Sequence, residues 1–115
     1  MRFIYLGGTD ICSLFAGMCT ALPVYRGEIQ CRMLGMAVES FDSLGNSSQP
    51  GEAGEMVCVR PFPCMPVGFW PLDGFGNEDS VRLAKSRYQQ AYFSHFKDVW
   101  CGCFLSSYVP TGQIS

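Results

Sequence analysis

The sequence is short of charge. Only 16% of its 115 residues are Asp, Glu, Lys or Arg, the formal net charge is −2, and the basic residues stand singly rather than in runs. Nucleic acids and anionic membrane surfaces bind through clustered Lys and Arg, so neither is an expected partner. Long hydrophobic runs are missing as well. The apolar stretch that follows Arg2 is broken by Gly7-Gly8 and Asp10, where a secretion signal needs continuity. No run approaches the roughly 18 residues needed to cross a bilayer. Histidine is nearly absent, with His95 alone, and there is no internal repeat or low-complexity tract.

What is present is apolar: 48% hydrophobic and 14% aromatic residues describe a globular chain with room for one core. Seven cysteines stand at positions 12, 19, 31, 58, 64, 101 and 103. The odd count and diffuse spacing do not read as a disulfide framework. Most of these cysteines lie in apolar runs such as Met56-Val57-Cys58-Val59, where a thiol behaves as a small buried hydrophobe. A reduced, cytoplasmic protein is expected. A small secreted protein with six of the seven thiols paired remains the alternative at this point.

Residues 2–6 read as a buried strand that ends at Gly7-Gly8, with Thr9-Asp10 at its end. From Glu28 the pattern alternates, with Ile29, Cys31 and Met33 opposing Gln30 and Arg32. Beyond Gly35 the apolar set becomes Leu34, Met36 and Val38, so a bulge or bend is expected at Gly35. Residues 42–54 carry the small and polar residues of a surface loop, and a second β-rich run covers 55–60. An antiparallel pair joined by a long loop follows. Pro61, Pro63, Pro66 and Pro71 exclude regular structure from the next segment. Val81, Ala84, Tyr88, Ala91 and Phe96 recur near helical spacing, which predicts one amphipathic helix over 78–96, with Asn77 as N-cap and Glu78 paired to Arg82. His95 with Cys101 and Cys103 does not make a zinc site, because Cys-x-Cys lacks the usual spacing and no fourth ligand is evident. Tyr92 and Trp100 are expected in the core.

Several motifs in register carry a resemblance. Gly7-Gly8-Thr9-Asp10-Ile11-Cys12, Leu22-Pro23-Val24-Tyr25-Arg26-Gly27-Glu28-Ile29-Gln30 and Leu34-Gly35-Met36-Ala37-Val38-Glu39 resemble consecutive signatures of the acetoacetyl-CoA synthetases. Gly51-Glu52-Ala53-Gly54-Glu55-Met56-Val57-Cys58, Pro61-Phe62-Pro63-Cys64-Met65-Pro66 and Gln90-Ala91-Tyr92-Phe93-Ser94 continue it, so that it covers roughly residues 7–100.

That family belongs to the adenylate-forming acyl-CoA ligases. The resemblance implies an α+β fold, a piece of the large N-terminal domain with a β-hairpin or distorted-barrel portion and one amphipathic helix. It implies a partial AMP-binding domain at 1–100 and an unrelated tail at 101–115. The activity implied is activation of acetoacetate through an acyl-adenylate to acetoacetyl-CoA, with ATP, Mg²⁺ and CoA as cofactors and a short-chain acid as substrate.

Gly7, Gly8, Thr9 and Asp10 fall on the family's nucleotide-binding motif. Thr9 would hydrogen-bond a phosphate, Asp10 would hold Mg²⁺, and the two glycines would let backbone approach the nucleotide. Taken alone, Thr9-Asp10 reads more readily as an ordinary capped turn; the neighbouring motifs reverse that preference in favour of the nucleotide reading. Gly54-Glu55 corresponds to a structural strand, and no residue is assigned a catalytic role. The phosphate-binding loop, the ribose-binding Asp and the domain with the catalytic Lys are not found, so the expectation is a ligase fragment inactive by itself. A non-catalytic interaction module is a further alternative.

Overall fold

The computed structural model describes residues 5–107, with side chains as far as Gly102. Residues 2–4 of the first expected strand, and the tail from 108 onward, lie outside the described residues. In chain order the elements are β1 (Leu6–Gly8), β2 (Ser13–Gly17), β3 (Cys31–Arg32), β4 (Val38–Phe41), β5 (Ala53–Cys58), α1 (Glu78–Tyr92) and β6 (Trp100–Ser107). They form two three-stranded antiparallel sheets, β1-β2-β3 and β4-β5-β6, with one helix. The fold is α+β as expected, but among the described residues the sheets do not close into a barrel.

The long run from Glu28 is divided at Gly35. Gly35 has φ +80° and the Met36 N–H donates to the Met33 carbonyl at 3.1 Å, a turn that only glycine adopts without strain. Chain before it belongs to the first sheet and chain after it to the second. The apolar face flips as the alternation predicts, with two corrections: Leu34 sits on the turn and is 96% exposed, whereas Met36 and Val38 are buried, and Gln30, expected on the polar face, is buried while Ile29, Cys31 and Met33 are only partly so.

The expected hairpin forms from β4 and β5, with Val38 opposite Cys58 and Phe41 opposite Glu55. Its loop is shaped by Asp42, whose Oδ1 accepts the N–H groups of Asn46 (2.9 Å) and Leu44 (2.8 Å). These donors, Asn46 foremost, hold the Asp42 carboxyl below its usual range. Gly54 is required by packing, since a Cβ there would lie 2.4 Å from Ser48 Oγ, 2.5 Å from Ser40 Oγ and 2.6 Å from the Phe41 carbonyl. The structural strand that Gly54-Glu55 implied is thus β5, the central strand of its sheet.

Residues 61–71 run without helix or strand, as their prolines demand. Asn77 caps α1, its Oδ1 accepting the N–H groups of Asp79 (3.1 Å) and Ser80 (3.3 Å). The helix stops at Tyr92, one turn short of the expected end, and Phe96 leaves it to meet Phe41 edge-on at 5.4 Å. Arg82 pairs with Asp79, three residues away, rather than with Glu78. The buried face, Ser80, Ala84 and Tyr88, is narrower than the periodicity suggested, because Val81 and Ala91 face outward.

A chain of edge-to-face aromatic contacts joins the parts. Phe15 of β2 meets Phe62 at 5.3 Å, Phe62 meets Trp100 of β6 at 5.3 Å, and Trp100 meets Tyr88 of α1 at 6.0 Å. The Tyr88 hydroxyl, carried into this core, donates to the Pro66 carbonyl at 2.6 Å. No helix among the described residues is long and apolar enough to cross a membrane.

Candidate functional site

Gly8 and Ser13 are the last paired residues of the β1–β2 hairpin, so Thr9, Asp10, Ile11 and Cys12 make a four-residue turn. The Cys12 N–H donates to the Thr9 carbonyl at 3.1 Å, and Cys12 takes a left-handed conformation (φ +48°) to rejoin the strand. Ile11 points inward and is 2% exposed, which pins the turn to the core. Thr9 and Asp10, on either side of a well-held backbone, remain exposed. The geometry is that of a fixed turn presenting a hydroxyl and a carboxylate to solvent.

A cleft of about 230 Å³ opens beside them, lined by Gly8, Thr9, Asp10, Ile11, Phe15, Tyr92, Trp100 and Gly102. Its floor is aromatic: Tyr92 and Trp100 stack with ring centroids 3.8 Å apart and planes 13° from parallel. The Tyr92 hydroxyl donates to Asp10 Oδ2, tying the end of α1 to the turn across 82 residues of sequence. Burial pushes the Tyr92 hydroxyl up to about 12, and the hydrogen bond to Asp10 and its negative charge add to the shift. At neutral pH Tyr92 is therefore a firm donor that orients the Asp10 carboxylate.

The two glycines differ. A Cβ at Gly7 would stand 2.3 Å from the Ser13 carbonyl and 2.7 Å from the Leu14 side chain, so the opposite strand requires this glycine whatever binds nearby. A Cβ at Gly8 would meet nothing closer than Ile11 Cγ1 at 3.8 Å. Gly8 and Thr9 line both this cleft and a more open recess completed by Tyr5, Leu6, Gly7 and Ser13, whereas Gly7 lines only the recess. Gly8, Thr9 and Asp10 are thus gathered at one cleft, which Gly7 does not line.

Sequence reasoning missed Tyr92 as part of this site. Trp100, 3% exposed, belongs to the core as expected, but its edge also forms cleft wall. No local signal marks Tyr92, since its partner Asp10 is remote in sequence. His95 lies beyond α1, exposed, in a separate recess with Phe41, Asp42, Glu55 and Phe96.

No protein-family model matches the chain. Curated relatives do. The chain is 48% identical over 94 residues to the acetoacetyl-CoA synthetase of Mus musculus, a match that covers 82% of this chain and 12% of the relative. It is 48% identical over 109 residues to that of Gallus gallus, covering 94% of this chain and 15% of the relative. With the Rhizobium meliloti enzyme it shares 42% identity over 109 residues. Among solved structures, the acetoacetyl-CoA synthetase from Streptomyces lividans superimposes with a TM-score of 0.76 at 34% identity, over 94% of this chain and 15% of that one. The chain therefore spans about an eighth to a seventh of the length of the relatives it matches.

Proposed function

We propose, on the premise that this chain is homologous to one segment of the acetoacetyl-CoA synthetases, that it supplies part of the nucleotide site of an ATP-dependent acetoacetate:CoA ligase. The observation that carries the reading is the turn at Thr9-Asp10. Both polar side chains stand exposed at a cleft, on a backbone fixed by Ile11 and with the carboxylate oriented by Tyr92.

The residues fit a magnesium-nucleotide in one mode only. Among the described residues no three His, Cys, Asp or Glu side chains converge on a metal. Asp10 stands as a single carboxylate, which suits an ion that keeps most of its waters and is held mainly by phosphate oxygens. With one Asp10 oxygen engaged by Tyr92, the other is left for that ion. Bound there, magnesium would neutralise charge developing on the phosphates. Thr9 supplies a hydroxyl for a phosphate oxygen, and Gly8 supplies a wall without a side chain, which its own fold does not demand. Gly7 serves the hairpin rather than the ligand.

The whole-enzyme reaction, adenylation of acetoacetate followed by transfer to CoA, needs groups beyond those in this chain. A charge-stabilising donor set at such a centre is worth on the order of 10²–10³ in rate per element, so the 115-residue chain by itself does not turn over. Residues 1–100 are read as part of an AMP-binding domain, and the matches over 94% of the chain carry the similarity beyond residue 100. In structure β6 extends from Trp100 to Ser107 along β5, with a register shift opposite Glu55–Val57. A cytoplasmic location goes with this reading.

The test is amide NMR of the intact chain titrated with MgATP, beside an assay for pyrophosphate release from ATP and acetoacetate. Shifts concentrated at Gly8, Thr9, Asp10 and Tyr92, reduced by Asp10→Ala and without pyrophosphate release, are expected. Shifts elsewhere would sink the nucleotide assignment, and pyrophosphate release would sink the claim of incompleteness.

A further inference from the structure

The second sheet carries a recess of its own. Met56 and Cys58 of β5 face the core, so Glu55 projects from the other face of the sheet, directly across from Phe41 of β4. The chain beyond α1 crosses this face. Phe96 meets Phe41 edge-on with ring centroids 5.4 Å apart, and His95 stands beside Phe96 at 5.7 Å. Between this segment, the Asp42 loop and the start of β5 lies a space of about 440 Å³, within the roughly 300–1,000 Å³ of small-molecule sites. Its charge is one-sided: Asp42 and Glu55 line it, and no Lys or Arg does so among the described residues. Asp42 is committed to its loop, since Oδ1 accepts two N–H groups and Oδ2 accepts the Asn46 side-chain amide at 3.4 Å. It brings negative charge rather than a free acceptor. Glu55 is the opposite case. Its Oε2 has almost no accessible surface and no hydrogen-bond partner among the described residues. A carboxylate oxygen shut off from water without a donor is costly, and a donor that reaches it relieves that cost.

We propose that this recess binds a guanidinium group, with Glu55 as its bidentate carboxylate, Asp42 adding negative charge, and Phe41 and Phe96 as aromatic walls. Among the described residues no three His, Cys, Asp or Glu side chains converge, so the donor set does not suit a metal ion. An ammonium is a compact, strongly hydrated point charge that leaves one carboxylate oxygen unmatched. A guanidinium is planar and more weakly hydrated, stacks on phenyl rings, and offers a carboxylate two parallel N–H donors at once. The torsion that ends a Glu side chain is soft, so the Glu55 carboxylate can turn and bring Oε2 to that fork together with Oε1. The group comes from either of two sources, free arginine or an arginine side chain of a polypeptide.

The test titrates the full chain, followed by amide NMR, with Nα-acetyl-arginine methylamide, with free arginine and with Nα-acetyl-citrulline methylamide, the neutral isostere. Saturable shifts at Phe41, Glu55, His95 and Phe96 are expected with the arginine compounds. Affinity should fall by at least about tenfold for the citrulline compound and in Glu55→Gln. Asp10→Ala, at the other cleft, should leave the affinity within about twofold. Equal binding of the two arginine compounds marks a polypeptide side chain as the source, and tighter binding of free arginine marks the amino acid. The citrulline comparison needs no variant, so it decides the matter even where Glu55→Gln does not fold. Absence of saturable shifts at these residues, citrulline binding as tight as arginine, or an affinity unchanged in a folded Glu55→Gln overturns the proposal.

Discussion

The two sheets are built on different terms. The first has strands of three, five and two residues, and only Phe15, Ala16 and Gly17 within them are buried. The second has strands of four, six and eight residues, and its central β5 buries Gly54, Met56, Val57 and Cys58. Short strands gain little from their own ladders, so the first sheet depends on anchors: Ile11 and Phe15 set into the aromatic chain that Trp100 heads. The second sheet and the helix are the scaffold, and the first sheet is an arm that carries the candidate site. The cleft lies where they meet, which is why its floor belongs to the scaffold and its polar groups to the arm.

That contrast breaks most visibly at Trp100. Trp100→Ala removes a residue in contact with Phe62, Tyr88, Tyr92 and Phe93, and a loss of about 3–5 kcal/mol is expected in urea unfolding. Leu83→Ala, on the outer face of α1, should change stability by less than about 0.5 kcal/mol; equal effects would show that Trp100 is not the shared anchor.

Within the arm, Gly7→Ala forces a Cβ into the Ser13 carbonyl and should cost about 1–3 kcal/mol. Gly8→Ala should be nearly neutral in the same denaturation, within about 0.5 kcal/mol, while weakening whatever enters the cleft. If the two glycines proved alike in stability, their assignment to different tasks would be wrong.

The scaffold's helix gives a smaller effect. Asn77→Ala leaves the N–H groups of Asp79 and Ser80 without their cap and should lower stability by about 1 kcal/mol. A helical circular-dichroism signal and midpoint unchanged from the parent would refute that role.

The link between arm and scaffold should also be visible in alkali. Tyr92 has a raised pKa of about 12 when folded against an ordinary 10. Between those values the unfolded chain releases a proton that the folded chain keeps, so this contribution is whole below pH ~10 and lost as pH rises through ~12. Burial also raises Tyr88, but tyrosinate absorbance should show a step near pH 12 that disappears in Tyr92→Phe and comes earlier in Asp10→Asn. A step near pH 12 unchanged in Tyr92→Phe would reassign the link.

Much of the fold is legible in the amino-acid sequence. The prolines of 61–71, the Asn77 cap, the long-loop hairpin and the switch of face at Gly35 are local matters of backbone donors, caps and φ, and each appears where the sequence signals it. The helix ends earlier than its periodicity predicts because the repeat of apolar residues continues to Phe96, although that ring packs on Phe41 instead of the helical face. Alternation places Leu34 inside, but a turn residue does not obey alternation.

The sequence by itself determined the family resemblance, the strand and helix segments, and the turn that exposes Thr9 and Asp10, because those depend on residues near one another along the chain. Only the tertiary structure decided that Tyr92 meets Asp10 and that Gly7 answers to Ser13 while Gly8 faces the cleft. Such contacts depend on how the two sheets and the helix pack, and packing joins positions with no periodic or compositional trace of their meeting.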